Sequence, residues 1–163
     1  MNRATHRITA YFAYPVRGAA GDNVDLGVKQ ENESAAIVLC NRLRRLTDWA
    51  KIYCPHEVVN EGVLQEAWRR GELTSQQIID HCVEILECCQ VFVLGSPYDR
   101  QVSEGVWQEC NAARQAGIPV FALYKYTHAS DLLLEEAVQQ FEIERGLRRG
   151  AAVMPTLPAG VQA

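Results

Sequence analysis

Residues 89–95 read CQVFVLG, and residues 96–109 continue as SPYDRQVSEGVWQE. The first segment is apolar and rich in β-branched and aromatic residues, which predicts a buried strand. Gly95-Ser96-Pro97 ends that pattern, and Ser103 precedes a sequence of helical character that includes Glu109. Strand, loop and helix in this order place the loop beyond the carboxyl end of a strand, where open α/β sheets bind their ligands. We therefore predict a site within residues 96–109.

The start of the predicted helix would favour an anionic ligand. A helix N-terminus presents unpaired N–H groups and the positive end of the helix dipole. Ser103 is also an ordinary N-cap residue, and capping alone would explain it. Glu109 follows nearly two turns later, so a bent entry would be needed to bring its carboxylate to the crevice.

The remainder of the chain alternates between strand and helix patterns. Strand patterns occupy residues 8–14, 50–54 and 119–124, and helical patterns occupy residues 35–46, 62–70, 75–87, 103–116 and 131–148. This alternation predicts an α/β fold in which a parallel sheet of at least four strands is covered by helices on both faces.

The length and the charge of the chain limit the number of its domains and the kinds of partner that it can bind. The 163 residues fit one domain, which we place at residues 1–149, with a flexible tail at residues 150–163. Sixteen basic and twenty acidic residues give a net charge of −4, which argues against a nucleic acid polymer as partner. We find no signal peptide and no apolar run that could span a bilayer, so we expect a cytoplasmic protein with no membrane partner.

The six cysteines predict reduced thiols. They lie within apolar periodic segments, as buried free cysteines of cytosolic proteins do. A zinc site needs two closely spaced pairs, and Cys88-Cys89 followed only by Cys110 does not supply them. Cys54 and His56 are near neighbours, but a cysteine that ends a strand beside a polar loop residue is the commoner arrangement. We predict no metal and no cofactor.

A second loop follows the first strand. It contains Pro15, Arg17 and several glycines, so its backbone can approach a ligand closely, with Arg17 at its tip. An arginine can grip a phosphate with two hydrogen bonds. Alternatively, Arg17 extends over the loop or pairs with Asp22.

Two patches of the sequence carry a resemblance to a known family. The first is YFAYPVRG at residues 11–18, and the second is SEGVWQE at residues 103–109, followed by Ala112 and by GIPV at residues 117–120. They resemble the opening and the second motif of the nucleoside 2-deoxyribosyltransferase-like superfamily, and are nearest its 2'-deoxynucleoside 5'-monophosphate N-glycosidase branch. The resemblance covers residues 8–123 and implies a five-stranded parallel sheet. The resemblance and the strand count together predict a single-domain, three-layer sandwich of the flavodoxin/Rossmann-like kind, with a four- or five-stranded parallel sheet.

The resemblance also implies roles for single residues. Glu109 matches the nucleophile that attacks the anomeric carbon of the sugar, and Tyr11 would lie beside the reacting sugar. Arg17 and Gly18 match the loop that holds the 5'-phosphate, and Ser103 would help to bind it, often across a dimer interface. The implied partner is a nucleotide or nucleoside, and the implied assembly is a homodimer or a higher homo-oligomer. The residues that we predict to bind substrate or phosphate are Arg17, Gly18, Ser103, Gly105 and Pro15.

The chain departs from the family pattern in two places. Tyr14-Pro15 stands where the family usually has Gly-Ser or Gly-Pro, which reshapes the first loop. The family carries an aspartate on the helix before the central strand and another where that strand begins, whereas Gln90 stands at the strand entry here. Asp80 is therefore the candidate for the acid that protonates the leaving base, and Asp99 is a second one.

Several functions remain open. Glycosidic cleavage builds positive charge on the sugar, which a carboxylate such as Glu109 stabilises and can trap covalently. Attack by water then gives hydrolysis, and attack by a second base gives transfer, as in a deoxyribosyltransferase. A nucleotide-binding module that has lost the acid is an alternative, as is a TIR-like NAD glycohydrolase, although residues 11–18 do not look like its opening. Tyr11 could also be a core residue, and Trp107 could stack on a base or simply pack.

Overall fold

The computed structural model of the chain describes residues 8–17, 21, 23–47, 50–60, 63–96, 102–123 and 130–146. Strands and helices alternate along these residues. The strands are β1 (Ile8–Ala13), β2 (Ala50–Tyr53), β3 (Val91–Leu94) and β4 (Val120–Ala122). The helices are α1 (Leu26–Leu46), α2 (Pro55–Asn60), α3 (Val63–Arg69), α4 (Ser75–Glu87), α5 (Glu104–Gln115) and α6 (Asp131–Arg145). Residues 150–163, Gly18, Asp22 and Asp99 lie outside the described residues.

The strands form one parallel sheet in the order β2-β1-β3-β4. β1 is a central strand, in which Ala10 lies opposite both Ile52 of β2 and Val91 of β3. The α/β class and the parallel sheet predicted from the sequence are confirmed. The sheet of the described residues has four strands, and the fifth strand that the resemblance implies is not among them.

Alternate residues of β1 contact different helices. Ala10 and Phe12 belong to a buried cluster that includes residues of α1 and α6. Tyr11 and Ala13 belong to a second cluster, which includes residues of α4 and α5. All residues of β3 are buried, as is typical of a parallel strand with packing on both faces. Hydrophobic burial of this kind is the main stabilising contribution to folding.

Capping residues determine where the helices begin. Thr74 forms a capping box with Gln77 at the start of α4, and this helix has the bounds that the sequence predicts. The Asp25 side chain accepts hydrogen bonds from the first turn of α1, so this helix begins at Leu26 rather than at Ala35. None of the described helices combines the length and the apolar content that crossing a bilayer requires.

Gly95 brings the ends of β1 and β3 together. Its N–H donates to the Ala13 carbonyl oxygen at 2.9 Å. A Cβ atom at this position would lie 2.9 Å from Phe12 Cζ and from Tyr14 Cδ2, so a larger residue would clash with the two rings. The loop that leaves β3 therefore begins directly beside the loop that leaves β1.

Candidate functional site

A cavity of about 310 Å³ lies beside the loop that follows β1 and the start of α5, a volume within the usual range of small-molecule sites. One wall comes from the end of β1 and the loop after it, including Arg17. Further lining comes from the N-terminal halves of α4 and α5, including Glu109. The structure thus places the two principal residues predicted from the sequence in the same cavity. No bent entry is needed, because the cavity extends between α4 and α5 as far as Cys82 and Glu109.

Glu109 lines the cavity, although the residue is only 8% exposed. Tyr11 donates its hydroxyl hydrogen to Glu109 Oε1 at an oxygen–oxygen distance of 2.8 Å. Burial raises the pKa of Glu109 to about 7, and the hydrogen bonds with Tyr11 and Cys82 oppose that rise. A carboxylate with a pKa near neutrality can act as a nucleophile or as a general base.

Tyr11 supports Glu109 from the sheet and does not line the cavity. The Tyr11 ring is fully buried, and its centroid lies 5.8 Å from the centroid of the Tyr53 ring and 5.9 Å from that of the Phe92 ring. Burial, and then the nearby Glu109 carboxylate, raise the pKa of Tyr11 well above its ordinary value. The hydroxyl therefore keeps its hydrogen and remains a donor to Glu109.

Two cations, Arg17 and Lys29, also line the cavity. The Arg17 guanidinium donates from Nη1 to Ser75 Oγ at 2.8 Å, and its carbon lies 4.4 Å from the centroid of the Trp68 ring. Lys29 Nζ lies 5.6 Å from the same ring and 3.1 Å from Glu33 Oε1. A guanidinium that is stacked and hydrogen-bonded in this way is held in place for an anion.

The start of α5 also borders the cavity. The Ser103 Oγ accepts a hydrogen bond from the Val106 N–H at 3.4 Å, so Ser103 is the N-cap of this helix. Both Ser103 and Gly105 line the cavity. A Cβ atom on Gly105 would lie 3.3 Å from Ile79 Cδ1, so the glycine lets α5 approach α4 closely. The positive end of the α5 dipole is directed towards this part of the cavity.

Asp80 and Pro15 do not line the cavity. Asp80 is exposed, and its carboxylate accepts a hydrogen bond from Gln76 Nε2 at 2.8 Å. Pro15 is buried, whereas its neighbours Tyr14 and Val16 both reach the cavity wall. Among the described residues, the acids that line the cavity are Glu33, Glu104 and Glu109. No aspartate among the described residues lines the cavity.

The structure adds lining residues that the sequence did not single out for the site. They include Lys29, Trp68, Ser75 and Cys82. His56, which the sequence places in a loop after β2, lies in α2 and also lines the cavity. Its Nε2 is buried and has no hydrogen-bond partner among the described residues. Burial lowers the pKa of His56 to about 4, so the imidazole is neutral at physiological pH.

No three His, Cys, Asp or Glu side chains in the described part of the chain lie close enough together to hold a metal ion. Comparison of the chain with protein-family models, with curated proteins and with solved structures gives no match.

Proposed function

We propose that this protein is an N-glycosidase that removes the base from a (deoxy)nucleoside 5'-monophosphate, with Glu109 as the nucleophile. The observation that carries the proposal is that a buried carboxylate, Glu109, and a cation held by Ser75, Arg17, line the same cavity. The resemblance of residues 11–18 and 103–109 to the nucleoside 2-deoxyribosyltransferase-like superfamily supports the same reaction.

The proposed fold is the single-domain, three-layer sandwich of the flavodoxin/Rossmann-like kind. It is supported by the helices that β1 contacts on both faces and by the strand order β2-β1-β3-β4. In such folds, ligands bind beyond the carboxyl ends of the strands. The cavity borders the loop that follows the carboxyl end of β1.

The proposed reaction proceeds in two steps. An oxygen of the Glu109 carboxylate attacks the anomeric carbon, and the C–N bond breaks with its electron pair leaving on the base, which takes up a proton from solvent. Water then attacks the anomeric carbon and loses a proton to solvent, and the bond to Glu109 breaks with its electron pair returning to the carboxylate. The first step requires the ionised carboxylate, which Tyr11 stabilises through its hydrogen bond.

The 5'-phosphate is assigned to the cationic part of the cavity. Arg17 and the N-terminus of α5, with Ser103 as its cap, favour a dianion there. Binding energy from this remote group can orient the sugar towards Glu109, which would raise the rate as well as the affinity.

Base release from a panel of substrates tests the proposal. The panel contains ribo- and deoxyribonucleoside 5'-monophosphates, the matching nucleosides and NAD, and free base is measured by chromatography. We expect release from monophosphates, and a loss of about a thousandfold or more in Glu109→Gln. The control is Glu87→Gln, a substitution at an exposed residue of α4 that does not line the cavity. Equal turnover by Glu109→Gln and wild type would refute the nucleophile assignment.

A nucleotide-binding module without catalysis is the second candidate. It is favoured by the position of Asp80, whose exposed carboxylate accepts a hydrogen bond from Gln76 and does not line the cavity. Thermal stabilisation by a monophosphate without release of base would identify this function. The same panel separates the remaining alternatives, because NAD cleavage indicates a TIR-like enzyme and transfer to an added base indicates a deoxyribosyltransferase.

A homodimer and a cytoplasmic location are part of the same proposal. The family resemblance at Ser103 supports the dimer, and the six free thiols agree with a reducing compartment. Light scattering on the purified protein measures the assembly, and a monomeric mass would rule out a site that a second subunit completes.

A further inference from the structure

We infer that Lys29 binds the phosphate together with Arg17, that the Trp68 ring holds the two cations next to each other, and that the phosphate competes with Glu33 for Lys29. This inference rests on the proposed function, because the phosphate is that of the nucleotide. It gives a ligand-binding role to a residue in the first turn of α1, which the sequence did not single out for the site.

The Trp68 ring lies next to both cations. The Arg17 Cζ atom lies 4.4 Å from the ring centroid, and Lys29 Nζ lies 5.6 Å from the same centroid. Trp68 Nε1 donates to Ser75 Oγ at 3.2 Å, and this oxygen also accepts from Arg17 Nη1 at 2.8 Å. All four residues line the cavity. These contacts bring the ammonium and the guanidinium together around one aromatic ring.

α1 is bonded to the segment that carries Arg17. Asn32 is buried, and its Nδ2 donates to the Val16 carbonyl oxygen at 3.0 Å. Residues three and four positions apart share a face of a helix, so Lys29 lies on the same face as Asn32 and Glu33. The face of α1 that carries Lys29 is therefore attached to the residue before Arg17, which keeps the two cations in neighbouring positions.

The position of Lys29 does not favour folding. Lys29 is 7% exposed and is the buried one among the lysines and arginines of the described residues, whereas Leu26 and Val28 in the same turn are exposed. Burial of an ammonium group has a desolvation cost, and exposed apolar side chains beside it reverse the usual preference. A cation in the first turn is also disfavoured by the helix dipole. A charge retained at such a cost is expected to serve a function other than stability.

Glu33 is the partner of Lys29 in the structure. Lys29 Nζ lies 3.1 Å from Glu33 Oε1, and Glu33 also lines the cavity. A lysine four residues before a glutamate is the weaker order for such a pair in a helix. A phosphate monoester offers Lys29 about twice the negative charge of a carboxylate and three acceptor oxygens. Loss of the Lys29 charge and loss of the Glu33 charge should therefore change phosphate binding in opposite directions.

The test uses 2-deoxyribose 5-phosphate, which has the phosphate and the sugar but no base, and 2-deoxyribose as the ligand without phosphate. Calorimetric titration measures the Kd of each. Lys29→Met removes the charge and keeps an unbranched side chain against Trp68, Lys29→Arg keeps the charge, and Glu33→Gln removes the competing carboxylate. The control is Lys51→Met, a change at an exposed lysine of β2 that does not line the cavity.

We expect Lys29→Met to raise the Kd of 2-deoxyribose 5-phosphate about tenfold or more, and Lys29→Arg to keep most of the affinity. Glu33→Gln should lower this Kd by about two- to fivefold, because Lys29 loses its competing partner. In the double variant Lys29→Met/Glu33→Gln, most of that gain should disappear, since the lysine that the carboxylate held is absent. Lys51→Met should leave the Kd unchanged.

An unchanged Kd in Lys29→Met would overturn the inference, as would weaker binding by Glu33→Gln or no binding of the phosphorylated sugar by the wild type. If Lys29→Met does not fold, the double variant is compared with Glu33→Gln, and equal affinities of these two overturn it as well. The titrations need no turnover. A wild type that binds the phosphorylated sugar but releases no base would refute the glycosidase, while the titrations still decide the role of Lys29.

Discussion

At the scale of single residues, the candidate site combines a carboxylate whose charge is destabilised by burial with a guanidinium whose position is fixed by its contacts. Glu109 is buried and therefore protonates more readily than an exposed glutamate, which makes its carboxylate reactive at neutral pH. Arg17 is instead held by Ser75 and stacked on Trp68, so its position is fixed before a ligand arrives. A fixed cation loses little entropy on binding, which favours tight recognition of an anion.

Substitution of Arg17 should separate phosphate binding from chemistry. We expect Arg17→Gln to raise KM for the 5'-monophosphate by about 10- to 100-fold, because a charge-assisted contact is lost, and to leave turnover of the matching nucleoside unchanged. Steady-state kinetics with the two substrates measure both effects. Arg114→Gln is the control, since Arg114 is exposed beside Trp107 and does not line the cavity. Equal losses on both substrates would remove Arg17 from the phosphate site.

The sequence predicted those site residues that belong to contiguous motifs. Arg17, Ser103 and Glu109 were found because each stands in a short patch with a recognisable order. Cys82 was missed because it lies in the apolar stripe of α4, where a cysteine is an ordinary core residue. Asp80 precedes Cys82 by two positions, and two residues rotate a helix by about 200°, so the aspartate points to solvent where the cysteine points inward.

At the scale of elements, local sequence accounts for most boundaries. β1, β3 and α4 follow from periodicity and capping, and α5 ends just before Gly117 as expected. The first turns of α1 were missed because residues 26–34 are mostly polar and their helix depends on the Asp25 cap. α2 is not predicted from the sequence, because a proline directly after the strand pattern of residues 50–54 is typical of a strand end, whereas Pro55 takes the first position of a helix, which proline also suits.

The two serine caps allow stability to be separated from ligand binding. Ser103 and Ser130 cap α5 and α6 with hydrogen bonds of the same length, 3.4 Å, and only Ser103 lines the cavity. We expect either Ser→Ala change to cost about 1 kcal/mol, which lowers Tm by about 2–4 °C for a chain of this size. Only Ser103→Ala should also weaken binding of a monophosphate, by about two- to tenfold.

Calorimetry of the free proteins gives the change in Tm, and titration with a monophosphate gives the affinity. If Ser103→Ala and Ser130→Ala behave alike in both measurements, Ser103 is a helix cap and no more.

At the scale of the whole molecule, the cavity results from the order in which the strands pair. β1 lies between β2 and β3, and the close contact at Gly95 brings the loops after β1 and β3 together. The sequence predicts a parallel sheet, in which the carboxyl ends of all strands lie at the same edge. Arg17 and Glu109, which follow two of these strands, are therefore expected to lie close together. It does not predict the strand order or the packing of α4 on α5, because these depend on contacts between residues far apart in the chain.

The buried Glu109 should make the stability of the whole molecule depend on pH. The pKa of Glu109 is raised from an ordinary 4.5 to about 7 in the folded protein. Between these values the folded chain keeps a proton that the unfolded chain has released, so this residue lowers the free energy of unfolding as pH rises through that window. Glu109→Gln removes the titrating group and keeps an acceptor for Tyr11.

We therefore expect Glu109→Gln to gain stability relative to wild type as pH rises from 4.5 to 8, by up to about 3 kcal/mol. Urea unfolding at several pH values measures this difference. Glu57, whose pKa is lowered by its hydrogen bond with Arg44, has the opposite pH dependence, but it is present in both proteins and cancels in the comparison. Glu87→Gln should show a constant difference from wild type. The same constant difference in Glu109→Gln would mean that burial does not raise the pKa of Glu109 in the folded protein.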